Sequence, residues 1–82
     1  MRSKHIPNSL KKYRRERGLD QKDMARLMGH KNASMISRWE KGLAIPNLDH
    51  AFGLAHIYRT SAEAIYVDYR YEIIEAIKER EE

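Results

Sequence analysis

The sequence of 82 residues contains no cysteine, and its two prolines and four glycines are few. The absence of cysteine excludes disulfide scaffolds, thiolate metal sites, iron–sulfur clusters and cysteine nucleophiles, and it fits a reducing compartment. No apolar run reaches the length of a signal peptide or a membrane span, so we expect a soluble, cytoplasmic protein without membrane association. The short length excludes a multidomain enzyme, because it provides one small domain around a single core.

Positive charge is unevenly divided along the chain. Residues 1–60 hold thirteen Lys and Arg against five Asp and Glu, a net charge of +8, whereas residues 61–82 hold three against seven, a net charge of −4. A basic body attracts nucleic acid or an anionic membrane surface, and an acidic tail is repelled by both. Charge alone leaves open whether these residues bind a polyanion or only keep a small domain in solution.

Turn and capping residues divide the chain into short helices, and no segment shows the alternation typical of a strand, which predicts an all-α fold. Helix starts are predicted at polar residues that can accept hydrogen bonds from free backbone N–H groups: Asn8 or Ser9, Asp20, Asn32 and Ser61. The first three helices are expected to end at left-handed glycines: Gly18, Gly29 and Gly42. A fourth helix follows Pro46 and Asn47 and ends near Tyr58.

Apolar residues at helical spacing predict which faces turn inward. In the first two helices the expected inward residues are Leu10, Tyr13, Arg14, Met24, Leu27 and Met28. The fourth helix is strongly apolar and is expected at the centre of the core through Leu48, Ala51, Phe52, Leu54, Ala55 and Ile57.

The third helix, predicted over residues 33–41, has two unlike faces. At about 100° per residue, Met35, Ile36 and Trp39 fall on one apolar arc that would anchor the helix to the core. The other face is small and polar: Ala33, Ser34, Ser37 and Arg38. Small side chains let a helix enter the DNA major groove, and an arginine can donate two hydrogen bonds to guanine. With the short second helix and its tight turn, this pattern predicts a helix-turn-helix that binds double-stranded DNA, with basic residues of the first two helices on phosphates.

The same segments resemble a known family. Three runs carry the similarity to the Xre/Cro phage-repressor family of helix-turn-helix DNA-binding domains: Leu19 to Ala25, Ile36 to Gly42, and Pro46 to Leu48. The resemblance spans Leu10 to Tyr66 and implies a compact five-helix, lambda-repressor-like domain. We therefore expect a DNA-binding domain over residues 1–66 and a helical C-terminal extension over residues 67–82. The implied function is sequence-specific transcriptional regulation without a cofactor, and we expect a repressor because no effector domain is visible.

The resemblance also implies roles for individual residues. The candidate DNA-binding residues are Gln21, Asn32, Ala33, Ser34, Ser37, Arg38 and Lys41. Gln21 matches a glutamine that contacts a phosphate or the outermost base, whereas Ser37 and Lys41 are expected to contact the DNA backbone. The base-reading positions match Ala33, Ser34 and Arg38, with Arg38 the main hydrogen-bond donor and Ala33 suited to a thymine methyl group.

Arg14 and Glu40 match a structural ion pair of the family. The chain departs from the common pattern at the turn of His30 and Lys31, which is one residue longer, so the base-reading register can shift by one. Arg59 stands where the family often has a left-handed glycine, and an arginine there is expected to carry mild strain.

From Ser61 onward the chain has no glycine or proline, so its helix either continues or breaks once near Asp68. An apolar stripe is predicted along it: Ala62, Ile65, Tyr69, Ile73, Ala76 and Ile77. We expect this stripe to form a homodimer through the C-terminal helix, with Tyr66, Tyr69 and Tyr71 partly buried; in the alternative, the tail folds back on the monomer. A second function also stays open, in which the protein is an antitoxin or adaptor whose C-terminal helix binds a protein partner.

Catalysis and metal binding are not expected from the sequence. His50 and His56 lie six residues apart on the fourth helix, which places them too far round to share a metal ion, and no HExxH spacing occurs. No serine has recognisable His and Asp partners, and no glycine-rich phosphate loop is present. The sequence therefore predicts neither an enzyme nor a metal site.

Overall fold

The computed structural model describes residues 5–81, and within that range it contains helices and no strand. The helices are α1 (Leu10–Glu16), α2 (Gln21–Leu27), α3 (Ser34–Glu40), α4 (Leu48–Tyr58), α5 (Ala62–Ile65) and α6 (Val67–Glu81). The predicted all-α fold, a five-helix body with a C-terminal helical extension, is confirmed. Residues 1–4 and 82, which belong to the two units expected from the sequence, lie outside the described range.

Polar side chains set where the helices begin. Asp20 and Asp23 form a capping box, in which the side chain of each accepts a hydrogen bond from the backbone N–H of the other. The bond from the Asp23 backbone lowers the pKa of the Asp20 carboxyl, so this cap stabilises α2 at neutral pH and is lost on acidification through that pKa. The side chains of Asn47 and Ser61 cap α4 and α5, each by accepting a hydrogen bond from a backbone N–H of its helix. Of the two candidates for α1, Ser9 is the N-cap residue, but its side chain makes no capping hydrogen bond. The Oδ1 of Asn8, one residue earlier, accepts from the first N–H of the helix instead.

The first four helices end in one type of hydrogen-bonded turn around a left-handed residue. The φ angles there are 70° at Gly18, 77° at Gly29, 75° at Gly42 and 57° at Arg59. At each end, the N–H of the left-handed residue and the following N–H donate to carbonyls of the last helical turn. Arg59 is the only non-glycine residue with positive φ in residues 5–81, so the strain predicted at this position is present.

Replacing Arg59 with glycine is expected to stabilise the protein by about 1 kcal/mol, because glycine adopts the left-handed conformation without the Cβ penalty. Urea unfolding followed by circular dichroism measures the change. Arg59→Ala is the matched control, since it removes the same side chain and keeps the Cβ. Equal stability of the two variants would contradict a backbone origin of the strain.

The core lies where the helices of the five-helix body meet. Its buried residues are Leu10, Met24, Ala25, Ile36, Trp39, Leu54, Tyr58 and Ile65. Each of α1 to α5 contributes to this set, and α6 contributes none. The core therefore fixes α2 and α3 against the other three helices and leaves the extension outside it.

The apolar residues of α4 are less central than the sequence predicts. Leu54 and Tyr58 are buried, but Leu48 is 66% exposed and Phe52 is 63% exposed. The apolar arc of this helix is broad, and only one edge of it meets the core. Leu27 of α2 is exposed for the same reason, because its helix uses the edge opposite Leu27. The expectation that these three side chains point inward was wrong.

The extension α6 projects from the body of the molecule. It begins after a break at Tyr66, two residues before the predicted break, and is about 22 Å long at 1.5 Å per residue. The molecule measures 46 Å along its long axis and 25 and 21 Å across. At the base of α6, an open apolar groove of about 390 Å³ separates this helix from Ile45 and Pro46. Farther along, Ile73 and Ile77 are each 44% exposed, so the tail does not fold back over the core.

Candidate nucleic-acid interface

The segment that joins α2 to α3 positions the start of α3. The left-handed Gly29 ends α2, and the side chain of Asn32 accepts a hydrogen bond from the Ser34 backbone N–H at 3.0 Å. Asn32 was predicted to cap this helix, but the N-cap residue is Ala33, and Asn32 only accepts the first free N–H from one position earlier. Helix α3 begins at Ser34 and ends at Glu40, one residue inside each predicted end. The longer turn extends the connection and leaves the helix itself regular.

The buried and exposed faces of α3 follow from its sequence. Ile36 and Trp39 are buried in the core and fix the rotation of the helix about its axis. Ser34, Arg38 and Lys41 are exposed. A short serine beside two long cations leaves room for a close approach of another molecule and supplies hydrogen-bond donors that reach beyond the helix.

The exposed face is rotated relative to the prediction. Met35 is exposed, whereas the sequence placed it on the apolar arc that anchors the helix. Ala33 and Ser37, predicted to lie on the open face, are half-buried instead. The face available to a ligand is therefore centred between Ser34 and Arg38 and includes Met35 at one edge.

A buried hydrogen-bond network ties α1, α2 and α3 together. Glu40 accepts two hydrogen bonds from Arg14, from Nε at 2.6 Å and from Nη2 at 3.1 Å, and a third from Gln21 Nε2 at 3.0 Å. The remaining Arg14 nitrogen, Nη1, donates to the Leu19 carbonyl at 3.0 Å. The side chains of Arg14 and Glu40 are only 11% and 5% exposed. Because Glu40 touches both partners, the network fixes Gln21 beside the end of α3.

The electrostatics of this network stabilise the charged pair. The hydrogen bond to Glu40 raises the pKa of Arg14 and outweighs the opposing effect of burial, so the guanidinium stays charged at every physiological pH. Burial also raises the pKa of the nearby Tyr58 hydroxyl far above its ordinary value, and the charge of Glu40 adds to this rise. The network thus holds one nearly buried charged pair, Arg14 and Glu40.

Basic residues surround the start of α3. A recess between α2 and the following turn is lined in part by Lys22, Arg26 and Lys31, all exposed at the surface. The sequence predicts phosphate contacts only in general for the basic residues of the first two helices. Lys22 and Arg26 lie at positions i and i+4, and this spacing is the sequence feature that indicates that both side chains lie on one face of α2.

The N-terminal segment holds the end of α3. Ile6 donates a backbone hydrogen bond to the Gly42 carbonyl at 2.9 Å, and Asn8 Nδ2 donates to the Trp39 carbonyl at 3.1 Å. No pattern in the sequence indicates these contacts. The Gly42 carbonyl thereby gains a partner, and the Trp39 carbonyl gains a second one beside the backbone N–H of Gly42.

An aromatic cluster fastens the turn before α3 to α4. The ring of His30 lies 5.6 Å from Trp39 and 5.1 Å from His50, and Trp39 lies 5.2 Å from His50, all between ring centroids. The Nε2 atoms of the two histidines are 3.5 Å apart. This contact joins residues that are twenty positions apart in the sequence.

Comparison with known proteins adds a family relationship. A family model described as helix-turn-helix, of the Cro/C1 type, matches residues 10–65, which is more than half of the chain and covers α1 to α5. No curated protein and no solved structure matches the chain. Within residues 5–81, no helix has the length and apolar character needed to cross a membrane.

Proposed function

The chain belongs to the Xre/Cro family of helix-turn-helix proteins, which bind DNA and regulate transcription rather than catalyse reactions, and from this membership we propose a sequence-specific transcriptional repressor. The exposed face of α3 carries the proposal. Its polar side chains Ser34 and Arg38 stand on a helix whose opposite side is anchored by buried Ile36 and Trp39. A helix anchored on one side, with a free face that carries Arg38 and is followed by Lys41, is suited to the major groove.

In the proposed complex, α3 lies in the major groove of double-stranded DNA and reads base edges. Arg38 donates two hydrogen bonds to a guanine, and Ser34 supplies a short donor or acceptor beside it. Ala33 is half-buried, so its thymine contact requires a close approach of the helix start. Met35, exposed on the same face, offers a second apolar group for a thymine methyl.

Contacts to the DNA backbone position the reading helix. The proposed backbone contacts come from Gln21, Asn32, Ser37 and Lys41, together with Lys22, Arg26 and Lys31 around the recess. Such contacts add affinity that depends on salt and carry no sequence information. Bound in this way to a promoter, the domain would act by blocking access to the DNA.

Arg38→Ala is expected to weaken binding to a preferred site by about 1 to 3 kcal/mol and to relax preference at one base position, since the bidentate contact to guanine is lost. Lys41→Ala should weaken binding to all sequences evenly, because its contact is to a phosphate. Competition binding against a set of single-base operator variants measures both effects. Lys78→Ala in α6 is the charge-matched control, and an Arg38→Ala protein with unchanged base preference would contradict the assignment.

We further propose that the protein is a homodimer through α6. The supporting observation is the stripe of Tyr69, Ile73, Ala76 and Ile77 along a helix without a single buried residue. Covering this stripe with a second copy would remove exposed apolar surface at about 25 cal/mol per Å². A two-fold dimer would present two copies of α3 about 34 Å apart, matching an inverted-repeat operator.

Substituting aspartate for both Ile73 and Ile77 is expected to give a monomer, because each buried carboxylate would have to lose its hydration at the interface. Light scattering after size-exclusion chromatography measures the mass. The control is Val67→Asp, an exposed position about 120° round α6 from Ile73. A wild-type protein that is monomeric at high micromolar concentration would contradict the proposed dimer.

The same exposed stripe favours a second candidate function. If Ile73 and Ile77 bind a different protein, the chain is an antitoxin or adaptor and its DNA binding serves that partner. A wild-type monomer that becomes a stable heterodimer with a purified partner, and loses it on aspartate substitution of both residues, would favour this function over the homodimeric repressor.

A further inference from the structure

We propose that His30 and His50 form a two-histidine site for a divalent first-row transition ion such as Zn²⁺. His30 belongs to the turn before α3, and His50 belongs to the first half of α4. Both are half-buried, and their Nε2 atoms face each other. Imidazole nitrogen is a preferred ligand of this class of ion. The proposal concerns the protein without DNA and does not depend on the proposed function.

The distance between the two Nε2 atoms fits a shared ion better than a direct hydrogen bond. An N–H donor and its acceptor are typically about 2.9 to 3.0 Å apart, whereas the His30 and His50 nitrogens are separated by 3.5 Å. With metal–nitrogen bonds of about 2.0 to 2.1 Å and a tetrahedral angle, two ligand nitrogens lie about 3.4 Å apart. The observed separation is therefore close to one edge of a zinc coordination tetrahedron.

The ring positions agree with the same geometry. An ion about 2.1 Å from each Nε2 and in the plane of each ring would hold the two ring centroids about 5.2 Å apart. The observed centroid distance is 5.1 Å, with the rings nearly perpendicular at 86°. Rings directed straight at each other with this nitrogen separation would place their centroids farther apart. At least one ring is therefore inclined to the line that joins the two Nε2 atoms.

The surroundings leave room for the remaining ligands. An open recess of about 360 Å³ is lined by His30, His50, the cationic Lys31 and the start of α3. Within residues 5–81 no third His, Cys, Asp or Glu joins the pair, so water completes the coordination and the site binds more weakly than a four-ligand structural site. A bound ion fastens the turn to α4 and adds positive charge beside Asn32 and Ser34, which also line the recess.

Trp39 makes the site measurable. It is the only tryptophan of the chain, and its ring lies 5.6 Å from His30 and 5.2 Å from His50. A paramagnetic ion such as Cu²⁺ bound between the histidines is expected to quench most of the Trp39 fluorescence. Zn²⁺ in excess is expected to raise the midpoint of thermal unfolding by about 5 °C or more, since it binds only the folded pair. Mg²⁺, which prefers oxygen ligands, should do neither.

Three variants and one direct measurement test the site. His30→Gln and His50→Gln should each abolish the thermal shift and the quenching, whereas His56→Gln, an exposed histidine of the same helix, should retain both. In the wild-type protein, Zn²⁺ should shift the imidazole NMR signals of His30 and His50 and leave those of His56 unchanged. Because it uses the wild-type protein, the NMR measurement tests zinc binding by His30 and His50 even if a glutamine variant does not fold. Zinc that leaves both signals in place, or quenching undiminished in a folded His50→Gln protein, overturns the proposal.

Discussion

Glu40→Ala is expected to destabilise the protein by about 3 to 5 kcal/mol, because it leaves the Arg14 guanidinium nearly buried without its partner. Three hydrogen bonds are lost at once, including the one from Gln21. Small domains have a total stability of about 5 to 15 kcal/mol, so this single change removes much of it. Urea unfolding followed by Trp39 fluorescence and circular dichroism measures the loss.

A second ion pair of the chain provides the control for this prediction. Glu75 and Lys78 on α6 are exposed and 3.5 Å apart, and Glu75→Ala is expected to cost less than about 0.5 kcal/mol. A double variant in which both Arg14 and Glu40 are replaced by methionine should regain most of the stability that Glu40→Ala loses, because no unpaired charge then remains in the core. A Glu40→Ala protein as stable as Glu75→Ala would show that burial of the pair does not matter.

Gly42→Ala is expected to destabilise the protein by about 2 to 4 kcal/mol, for two reasons that act together. The φ of 75° is a left-handed conformation that alanine adopts at a cost, and an added Cβ would collide with the backbone of Ile6. The N-terminal segment would have to move, breaking the hydrogen bond from Ile6 to the Gly42 carbonyl. Differential scanning calorimetry and urea unfolding measure the loss.

Gly18→Ala separates the two contributions. Gly18 has a similar φ of 70°, but no atom lies within 4 Å of where its Cβ would be. This variant should therefore lose only about 1 kcal/mol, the cost of the left-handed conformation. The difference between the two variants measures the attachment of the N-terminal segment to the end of α3. Equal losses at both positions would mean that the segment does not hold α3.

Helix ends were predictable from the sequence because the signals that set them are local. A glycine can adopt the left-handed conformation wherever it occurs, so Gly18, Gly29 and Gly42 marked their turns directly. The caps at Asp20 and Ser61 depend on residues three positions away and were predictable for the same reason. Arg59 carries no such local signal, and strain there was predicted from the family resemblance, which places a left-handed glycine at this position.

The faces of the helices were predicted less well, because burial depends on neighbours that periodicity does not show. The apolar arc of α4 covers Leu48, Phe52 and Leu54, and the sequence cannot tell which edge meets the other helices. Met35 is an example at the candidate site, where the packing of Ile36 and Trp39 rotates α3 away from the predicted orientation.

Long-range partners were predictable only where the family resemblance supplied them. Arg14 and Glu40 are twenty-six positions apart, and their pairing entered through the resemblance rather than through spacing. The contact between His30 and His50 has no such precedent in the family pattern, because the longer turn that contains His30 is itself a departure. Spacing along α4 relates His50 only to His56, whereas its contact with His30 depends on how the turn packs against α4.

Selection of bound duplexes from a random pool at physiological salt tests whether the protein recognises a specific DNA sequence through α3. We expect enrichment of an inverted repeat with half-site centres about 34 Å apart, and an affinity for the enriched site that exceeds that for a scrambled duplex by about 10³-fold or more. The affinity for both duplexes should fall as salt rises, and the enriched site should stay the tighter of the two. Binding that is steeply salt-dependent and indifferent to sequence would contradict sequence-specific recognition, since the basic body would then act only as an electrostatic surface.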